Sequence, residues 1–505
     1  MNAPNITGPG TDISELSTRR RMAILATCCL SLFIVGIDTS GVNVALPSIS
    51  ADLGASESQL QWVVDAYTLV LASLLMLGGS LGDRWGRKRV FQVGLTVFGL
   101  GSILCSLSVS PEMLIGARML QAVGGAMMNP VAMSIITNTF TEPRERARAI
   151  GMWGTAIGVS MALGPLVGGA LVDGIGWEAI FWLNVPVCLA ACVLTALLIP
   201  ESKAPHARRA DPAGQFLILV FLATLTYGII EGRGLGWGSA WVVGAFGTAA
   251  VALAVFLVVE SRRREPLLDL RFFRSIPFSS SVVGAVLAFS AMGGFLFLNT
   301  LYLQSSRGLS PLQAGLMTLP MAAANAVFSP LSGRLVGDRG ARLPMVGAGA
   351  MVLISGLMLT QTGVDTSMWF LAVAYLFLGI GMGLVNAPIT NAAVSGMPRA
   401  QAGVASAIAS TSRQVGISLG VAVFGAVAFA GIDGPVADGL PEASHPAWAL
   451  MALCGVGLII VGFVSTGRWA AATAEQTRER ILASSGATSQ RADTGSPASA
   501  PTVEA

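Results

Sequence analysis

The chain has 505 residues, of which 53% are hydrophobic and only 11% are charged, with a formal net charge of +3. Soluble domains carry about 25% charged residues, so this composition excludes an ordinary soluble protein. Apolar runs of about 20 residues, the length that crosses the hydrocarbon core of a bilayer, recur along the chain. They predict an all-α polytopic membrane protein.

The apolar runs predict fourteen membrane spans joined by short connections. The predicted spans lie at 23–47, 60–81, 89–110, 112–136, 148–172, 178–199, 213–231, 238–260, 279–303, 312–336, 342–363, 367–394, 401–430 and 446–467. The residues after the last span are rich in Ala, Ser, Thr and Gly and form no apolar face, so we expect them to be disordered.

The arginines predict the orientation of the spans. Even-numbered spans are followed by basic connections, such as the one that contains Arg84, Arg87, Lys88 and Arg89, whereas the opposite face carries mostly acidic residues. Basic connections stay on the cytoplasmic side of a membrane. Both termini are therefore predicted to be cytoplasmic.

An internal repeat divides the chain into two halves. The stretch "LGDRWG" at 81–86 returns as "VGDRGA" at 336–341, and "GAMMNP" at 125–130 returns as "GLVNAP" at 383–388. Matches in the same topological place, about 255 residues apart, predict two parallel six-helix repeats, as in many secondary transporters. The predicted division is an N-terminal tail (1–22), an N-terminal half (23–199), a linker (200–212), an inserted helix pair (213–260), a second linker (261–278), a C-terminal half (279–468) and a disordered C-terminal tail (469–505).

The first repeated stretch lies in a turn between the second and third spans, "GGSLGDRWGRKRV" at 78–90. Its glycines allow close helix contact and a tight reversal. Asp83 lies where a span meets the interface, where it can pair with an arginine or accept from a helix N-terminus. We expect such a pair to separate when the cytoplasmic side opens. The alternative is that the arginines only reflect the general preference of basic residues for cytoplasmic connections. The residues of this predicted gate are Gly79, Gly82, Asp83, Arg84, Gly86 and Arg87.

Four charged residues lie well inside predicted spans, where each costs about 2.5–3.5 kcal/mol. Asp38 and Arg118 fall at similar depth, since each residue of a helix rises 1.5 Å. We expect Asp38 to be the main proton and cation-substrate site; the alternative is a static ion pair between helices. Asp65 is either a second acidic site or a residue at the mouth of the cavity. Arg413 is expected to make structural hydrogen bonds to the other half.

Several motifs resemble the major facilitator superfamily, in particular its fourteen-helix drug:proton antiporters of the QacA/EmrB type. The turn at 78–90 resembles the motif A loop, "GIDTSGVNVALP" at 36–47 the first-helix signature, "RMLQAVGGAMMNP" at 118–130 the fourth-helix arginine motif, and "GVSMALGPLVGG" at 158–169 the fifth-helix antiporter motif. In the second-half turn, Gly340 and Ala341 stand where Trp85 and Gly86 would lie, so the motif is incomplete there.

The resemblance implies the major facilitator fold, two six-helix halves plus the inserted pair. It also implies that Arg118 modulates the protonation of a carboxylate. The implied antiporter-motif residues are Gly154, Gly158, Gly164, Pro165, Gly168 and Gly169. The candidate residues of a substrate cavity are Asp38, Trp62, Tyr67, Asn129, Asn386 and Arg413. Beside the alternatives given above for Asp38 and Arg413, ordinary packing is the alternative for Trp62 and Tyr67, and hydrogen bonds between helices are the alternative for Asn129 and Asn386.

These features predict a proton-coupled exporter of small amphipathic compounds in a bacterial inner membrane, acting as a monomer and without a nucleic-acid partner. A narrow self-resistance or metabolite exporter and an uptake symporter on the same fold are the alternatives; a channel is a remote one. An enzyme is disfavoured, because no HExxH motif, Cys/His cluster or paired catalytic carboxylates occur. Neither lysine of the chain fits a P-loop, and we predict no cofactor and no metal.

Overall fold

The computed structural model describes residues 17–203, 211–263, 268–395, 397, 402–432 and 435–493. Within helices, a few of these positions are described by their backbone alone. No β-strand occurs in these ranges.

Six long helices form the N-terminal half. They are α1 (Thr18–Leu53), α2 (Glu57–Trp85), α3 (Arg87–Ser106), α4 (Pro111–Thr139), α5 (Pro143–Gly174) and α6 (Glu178–Leu198). Local sequence fixes several of their starts: the side chains of Ser17, Ser56 and Ser110 accept hydrogen bonds from backbone amides of the first turns of α1, α2 and α4. Such caps satisfy amides that have no partner inside the helix.

The inserted pair and the C-terminal half follow. Their elements are α7 (Pro212–Leu235), α8 (Ala240–Arg262), a short 3₁₀ helix (Leu270–Arg274), α9 (Ile276–Leu301) with a π-helical turn (Tyr302–Ser306), α10 (Pro311–Met317), α11 (Leu319–Arg339), α12 (Arg342–Leu359), α13 (Met368–Val394), α14 (Ala402–Ala430), α15 (Val436–Ala443) and α16 (His445–Val464). The predicted tenth span is divided between α10 and α11. Pro320 explains the break, since a proline lacks the amide hydrogen and disfavours helix at the preceding residue.

Thirteen helical stretches in the described residues are long and apolar enough to cross a membrane. Helix α5, with 32 residues, occupies the position of the fifth predicted span beside these thirteen. The all-α polytopic architecture predicted from the sequence is confirmed.

The two halves use the same helix pairings. In the N-terminal half α1 packs on α5, α2 and α3 on α4, and α3 on α6; in the C-terminal half α9 packs on α14, α11 and α12 on α13, and α12 on α16. The halves meet where α2 packs on α14 and where α5 packs on α10 and α11. We call the α2–α14 interface the seam. Helix α7 packs on both α2 and α14, and α8 packs on α7.

The expectation of disorder at 469–505 is wrong for residues 469–493, which belong to helix α17 (Arg468–Asp493). Ala470, Ala474, Thr477 and Ile481 are buried, at spacings of three and four residues that place them on one helix face. This face packs on α9 and on the short 3₁₀ helix, with Ile481 in a cluster that includes Phe272. A stripe of small residues was sufficient for packing, so a strongly apolar face was not needed.

Candidate functional site

Asp38 and Arg118 form a buried ion pair in the N-terminal half. The Asp38 side chain on α1 is fully buried, and Arg118 on α4 is 1% exposed. The Nη1 atom of Arg118 lies 2.5 Å from Oδ2 of Asp38. The relationship predicted from helix depth is therefore present in the structure.

Two amide side chains complete the surroundings of Asp38. Gln121 and Asn184 each donate to Oδ1 of Asp38 at 2.9 Å. Both amides also donate to Oγ of Ser102, at 2.8 and 3.1 Å. Helices α1, α3, α4 and α6 thus share one polar cluster, which we call the Asp38 network: Asp38, Ser102, Arg118, Gln121 and Asn184.

Three members of the Asp38 network were missed in the sequence: Ser102, Gln121 and Asn184. Gln121 lies three residues after Arg118, on the same helix face, and this spacing was a usable signal. Asn184 lies in the apolar stretch "FWLNVP" of α6, where a buried amide requires partners. Nothing in the sequence around Ser102 distinguishes its hydroxyl from those of other serines in the spans.

Aromatic rings and a carbonyl hold Arg118 from the other sides. Its guanidinium carbon lies 4.1 Å from the ring centroid of Tyr67 and 5.8 Å from that of Phe181. Its Nε atom donates to the carbonyl of Val63 at 3.3 Å. Cation–π contacts of this kind are favourable when the cation is desolvated. Tyr67, a candidate cavity residue, is thereby a fully buried packing partner of Arg118.

Asp65 has a different environment, at the seam. It is fully buried, and neither carboxyl oxygen has a hydrogen-bond partner among the described residues. The hydroxyl side chains of Thr68 and of Ser418 on α14 face it. One turn earlier on α2, Nε2 of Gln61 donates to the carbonyl of Val421 at 3.5 Å. Asp65 therefore lies between the two halves, whereas the Asp38 network lies within one.

Trp62 faces away from the seam. Its indole Nε1 donates to Oε1 of Glu231 on α7 at 2.9 Å, and its ring lies 6.4 Å from that of Tyr227. A residue that binds the inserted pair in this way does not line a central cavity in this arrangement. The assignment of Trp62 to the cavity does not fit the structure. The sequence alone does not show which face of α2 is covered by α7.

The antiporter-motif glycines bring α5 against two different helices. A Cβ atom at Gly164 would lie 3.2 Å from the backbone nitrogen of Gly41 on α1, and one at Gly168 would lie 3.0 Å from its Cα atom. On another face, a Cβ atom at Gly169 would lie 2.9 Å from Cα of Leu312 on α10. The motif thus closes both an intra-half contact beside Asp38 and a contact between the halves.

The remaining antiporter residues are Pro165, Gly154 and Gly158. The carbonyl carbon of Pro165 would lie 2.9 Å from a Cβ atom at Gly315 on α10, so it belongs to the contact between the halves. Gly154 and Gly158 lie on α5 at positions that are described by their backbone alone.

The end of the bundle that carries the α1–α2 connection is closed by contacts between the halves. Gln304 donates through Nε2 to the carbonyl of Val44 at 2.8 Å. Ser310 donates through its hydroxyl to Oδ2 of Asp173 at 2.6 Å. Just inside this end, a cavity of about 10 Å³ lies between the halves, with Ser40 and Asn43 on one side and Thr300 on the other.

The predicted gate lies at the opposite end, and its ion pair joins neighbouring helices of one half. Nη2 of Arg87 lies 3.0 Å from Oδ1 of Asp83, four residues away. Pairing of Asp83 with an arginine is confirmed, but both partners move with the same half. An opening between the two halves would therefore not separate Asp83 from Arg87.

The glycines of this turn allow close packing, and a residue that was missed holds it. A Cβ atom at Gly82 would lie 2.7 Å from Val131 of α4, and one at Gly79 would lie 3.4 Å from Pro130. Gly86 has φ +112° and lies against the carboxylate of Glu201, which accepts from the backbone amide of Lys88 at 3.1 Å. A side chain at position 86 would meet both backbone strain and this carboxylate. Arg84 is exposed.

The last cavity candidates lie apart from Asp38. Arg413 on α14 donates through Nη2 to Thr390 of α13 at 2.7 Å, and its guanidinium lies 5.9 Å from the ring centroid of Phe289 on α9. The expected hydrogen bonds to the other half are therefore wrong for this residue, because the side chain packs against its own half. Asn129 and Asn386 are half-buried, on corresponding helices of the two halves.

Comparison with known proteins gives one family and a consistent set of relatives. A family model described as Major Facilitator Superfamily matches residues 28–421. The chain is 38% identical to "Multidrug resistance protein Stp" of Mycobacterium tuberculosis, over 81% of this chain and 76% of that protein. It is 36% identical to the "Tetracenomycin C resistance and export protein" of Streptomyces glaucescens, over 86% and 81%. It is 34% identical to "Multidrug efflux pump LfrA" of Mycolicibacterium smegmatis, over 83% of each.

A solved structure supports the fold. The structure of a bacterial homologue of the human drug peptide transporters PepT1 and PepT2 aligns with a TM-score of 0.62, over 91% of this chain and 99% of that one. The two sequences are 16% identical, so this likeness concerns the fold alone.

Proposed function

Because this chain belongs to the major facilitator superfamily, we propose that it is a proton-coupled exporter of small amphipathic compounds that works by alternating access. Relatives that are named as efflux and resistance proteins support export as its direction. In the proposed setting the chain is a monomer in a bacterial inner membrane, with both termini in the cytoplasm. The closed end at the α1–α2 connection then faces outward.

The observation that carries the coupling part of the proposal is Asp65 at the seam. Ionising a fully buried carboxyl that has no cation beside it, and only the hydroxyls of Thr68 and Ser418 facing it, would leave a charge that its surroundings do not neutralise. Opening of the seam between α2 and α14 would give the same carboxyl water and a route for its proton. A group whose surroundings change with the position of the halves is suited to carry a proton across a transport cycle.

The Asp38 network has a supporting role in this proposal. Arg118, Gln121 and Asn184 already satisfy the Asp38 carboxylate, and all of them move with one half. Arg118 links this network to the seam helix α2 through Tyr67 and Val63. We propose that the network fixes the position of α2, and through it that of Asp65. Proton transfer on Asp38 itself is the alternative assignment.

The test is ethidium efflux from energised cells, with and without a protonophore, for wild type, Asp65→Asn, Asp38→Asn and the control Asp365→Asn. Asp365 is an exposed carboxylate between α12 and α13. We expect Asp65→Asn to lose protonophore-sensitive efflux completely, and Asp365→Asn to retain it. If Asp38→Asn loses protonophore-sensitive efflux while Asp65→Asn keeps full activity, and both variants fold, Asp38 and not Asp65 is the proton carrier.

A second candidate is a narrow exporter of one uncharged, oxygen-rich compound. The residues at the cavity between the halves favour it, because none of them is charged and because polar side chains among them, such as those of Asn43 and Thr300, would become available to such a compound when the halves separate. Well-folded wild type that exports no ethidium but releases protons when an uncharged polycyclic antibiotic is added to inverted vesicles would support this reading. Absence of proton movement with either class of compound would overturn the antiporter proposal.

A further inference from the structure

A groove lies outside the polar sites described above, at the end of the bundle that carries the α2–α3 turn. It opens between the end of α2, the start of α3 and the middle of α4, with Lys203 reaching over it after α6. The groove holds about 270 Å³, near the lower end of the volumes that hold small ligands, about 300 Å³. Neither the Asp38 network nor the seam contributes a residue to it.

Three cationic side chains line the groove: Arg84, Arg89 and Lys203. Arg89 lies 3.7 Å from the carboxylate of Glu201 and is 74% exposed. Arg84 and Lys203 are exposed and have no ion-pair partner among the described residues. No carboxylate belongs to the lining. The groove therefore carries an excess of positive charge that its own surroundings leave available to an anion.

The rest of the lining is apolar and faces outward. Trp85 is 60% exposed and Val93, two helical turns into α3 from Arg87, is 50% exposed. Met127 of α4 forms part of the floor. Exposed tryptophan is typical of the level at which a membrane protein meets the lipid headgroups. Cations at one end and an apolar wall at the other match a molecule with an anionic head and an acyl chain.

We propose that this groove binds an anionic phospholipid, with the headgroup phosphate between Arg84 and Lys203 and an acyl chain along Val93. Basic pockets at the cytoplasmic ends of membrane helices recognise anionic lipid headgroups in this way. A soluble anion would use the cations but gain nothing from the apolar wall. The assignment requires that the chain lies in a bilayer and is independent of the proposed transport mechanism.

The equivalent turn of the second half differs in the residue that stands in place of the tryptophan. It joins α11 and α12 and carries Arg334 and Arg339, both exposed. Gly340 and Ala341 stand there in place of Trp85 and Gly86. The ring of Phe463 on α16 lies near this turn, and the guanidinium of Arg342 covers it at 4.6 Å. The two turns therefore form a useful comparison, since both carry exposed cations but only the first has an exposed tryptophan at this position.

The test uses the purified full chain in detergent, titrated with dioleoyl phosphatidylglycerol, and bound lipid is counted by native mass spectrometry. Dioleoyl phosphatidylcholine is the uncharged-headgroup control, and glycerol phosphate is added as a soluble competitor. The variant is R84Q/K203Q, and the matched control R334Q/R339Q removes two exposed cations from the other turn. R84K/K203R keeps the charge of the groove.

We expect wild type to bind phosphatidylglycerol at least fivefold tighter than phosphatidylcholine, on the order expected for a basic pocket. R84Q/K203Q weakens that binding about tenfold, whereas R334Q/R339Q changes it less than about twofold and R84K/K203R preserves it. Raising the salt weakens the wild type more than R84Q/K203Q, because exposed charges are screened and the variant keeps only Arg89 of the three cations in the groove. Equal weakening by both double Gln variants, or equal binding of both lipids, would overturn the proposal. Competition by millimolar glycerol phosphate would assign the groove to a soluble anion.

Discussion

Asp38 and Asp65 lie on neighbouring helices of the same half, and both are completely buried. Asp38 accepts from three side chains on two other helices of its half. Asp65 has no hydrogen-bond partner in the described chain and faces Ser418 of the opposite half. Burial alone therefore does not identify a coupling residue. In the proposed mechanism, the property that distinguishes the two carboxylates is whether their partners move with them.

Arg118→Ala has the largest expected effect on stability. It leaves Asp38 as a buried carboxylate without its cation, and removal of one partner of a buried pair costs about 3–5 kcal/mol. Denaturant unfolding of the purified protein measures this loss. The double variant D38N/R118A should recover part of it, because the charge is removed as well.

Arg413→Ala is the matched control for Arg118→Ala. Arg413 also lies within a span, but its hydrogen bond goes to a hydroxyl, that of Thr390, and not to a carboxylate. A smaller loss is therefore expected. Equal losses from the two arginine variants would mean that the Asp38 carboxylate is not the reason for the importance of Arg118.

Gly168→Ala should cost less, about 1–3 kcal/mol. Its new methyl group would lie 3.0 Å from backbone atoms of Gly41, three residues after Asp38, and backbone cannot easily give way. Gly174→Ala, in the same helix, is the control because nothing lies within 4 Å of its added Cβ atom. Thermal unfolding compares the two; an unchanged melting temperature for Gly168→Ala would show that α1 and α5 adjust freely.

The smallest expected effect comes from replacing a serine by alanine, a change that can be made both in the Asp38 network and beside Asp65. Ser102→Ala removes an acceptor that serves Gln121 and Asn184, so it should cost about 1–3 kcal/mol, at about 0.5–1.5 kcal/mol for each of the two hydrogen bonds. Ser418→Ala removes a hydroxyl that has no hydrogen-bond partner among the described residues and should cost under about 0.5 kcal/mol.

The two serine variants should also differ in transport. We expect Ser418→Ala to change the rate of proton-dependent efflux, because its hydroxyl faces Asp65, and Ser102→Ala to change stability first. Denaturant unfolding and efflux on the same preparations measure both quantities. A larger stability loss in Ser418→Ala would contradict the difference drawn between the two carboxylates.

Much of the fold could be predicted from the sequence. Apolar runs are a local signal, and they located the long helices with errors of a few residues. The repeat of "LGDRWG" as "VGDRGA" predicted two halves, whose helix pairings are indeed the same. Prediction was weakest in α17, where small residues at helical spacing carry little apolar signal but are enough to pack on an existing surface.

The candidate site could be predicted only in part. A charge inside a span is visible in the sequence because it is rare there, and so Asp38, Asp65, Arg118 and Arg413 were found. Glu201 was not, because its role depends on the backbone of a turn more than a hundred residues earlier.

By itself, the sequence determined that the chain spans a membrane, that it is built from two repeated halves and that four charges lie buried within them. Tertiary structure alone decided the partners: Asn184 reaches Asp38 across 146 residues, while Asp65 is left facing the other half. The physical reason is that hydrophobic periodicity is a property of neighbouring residues. The rotation of each helix, which selects the contacts of its polar side chains, is set by packing against helices that are distant in the chain.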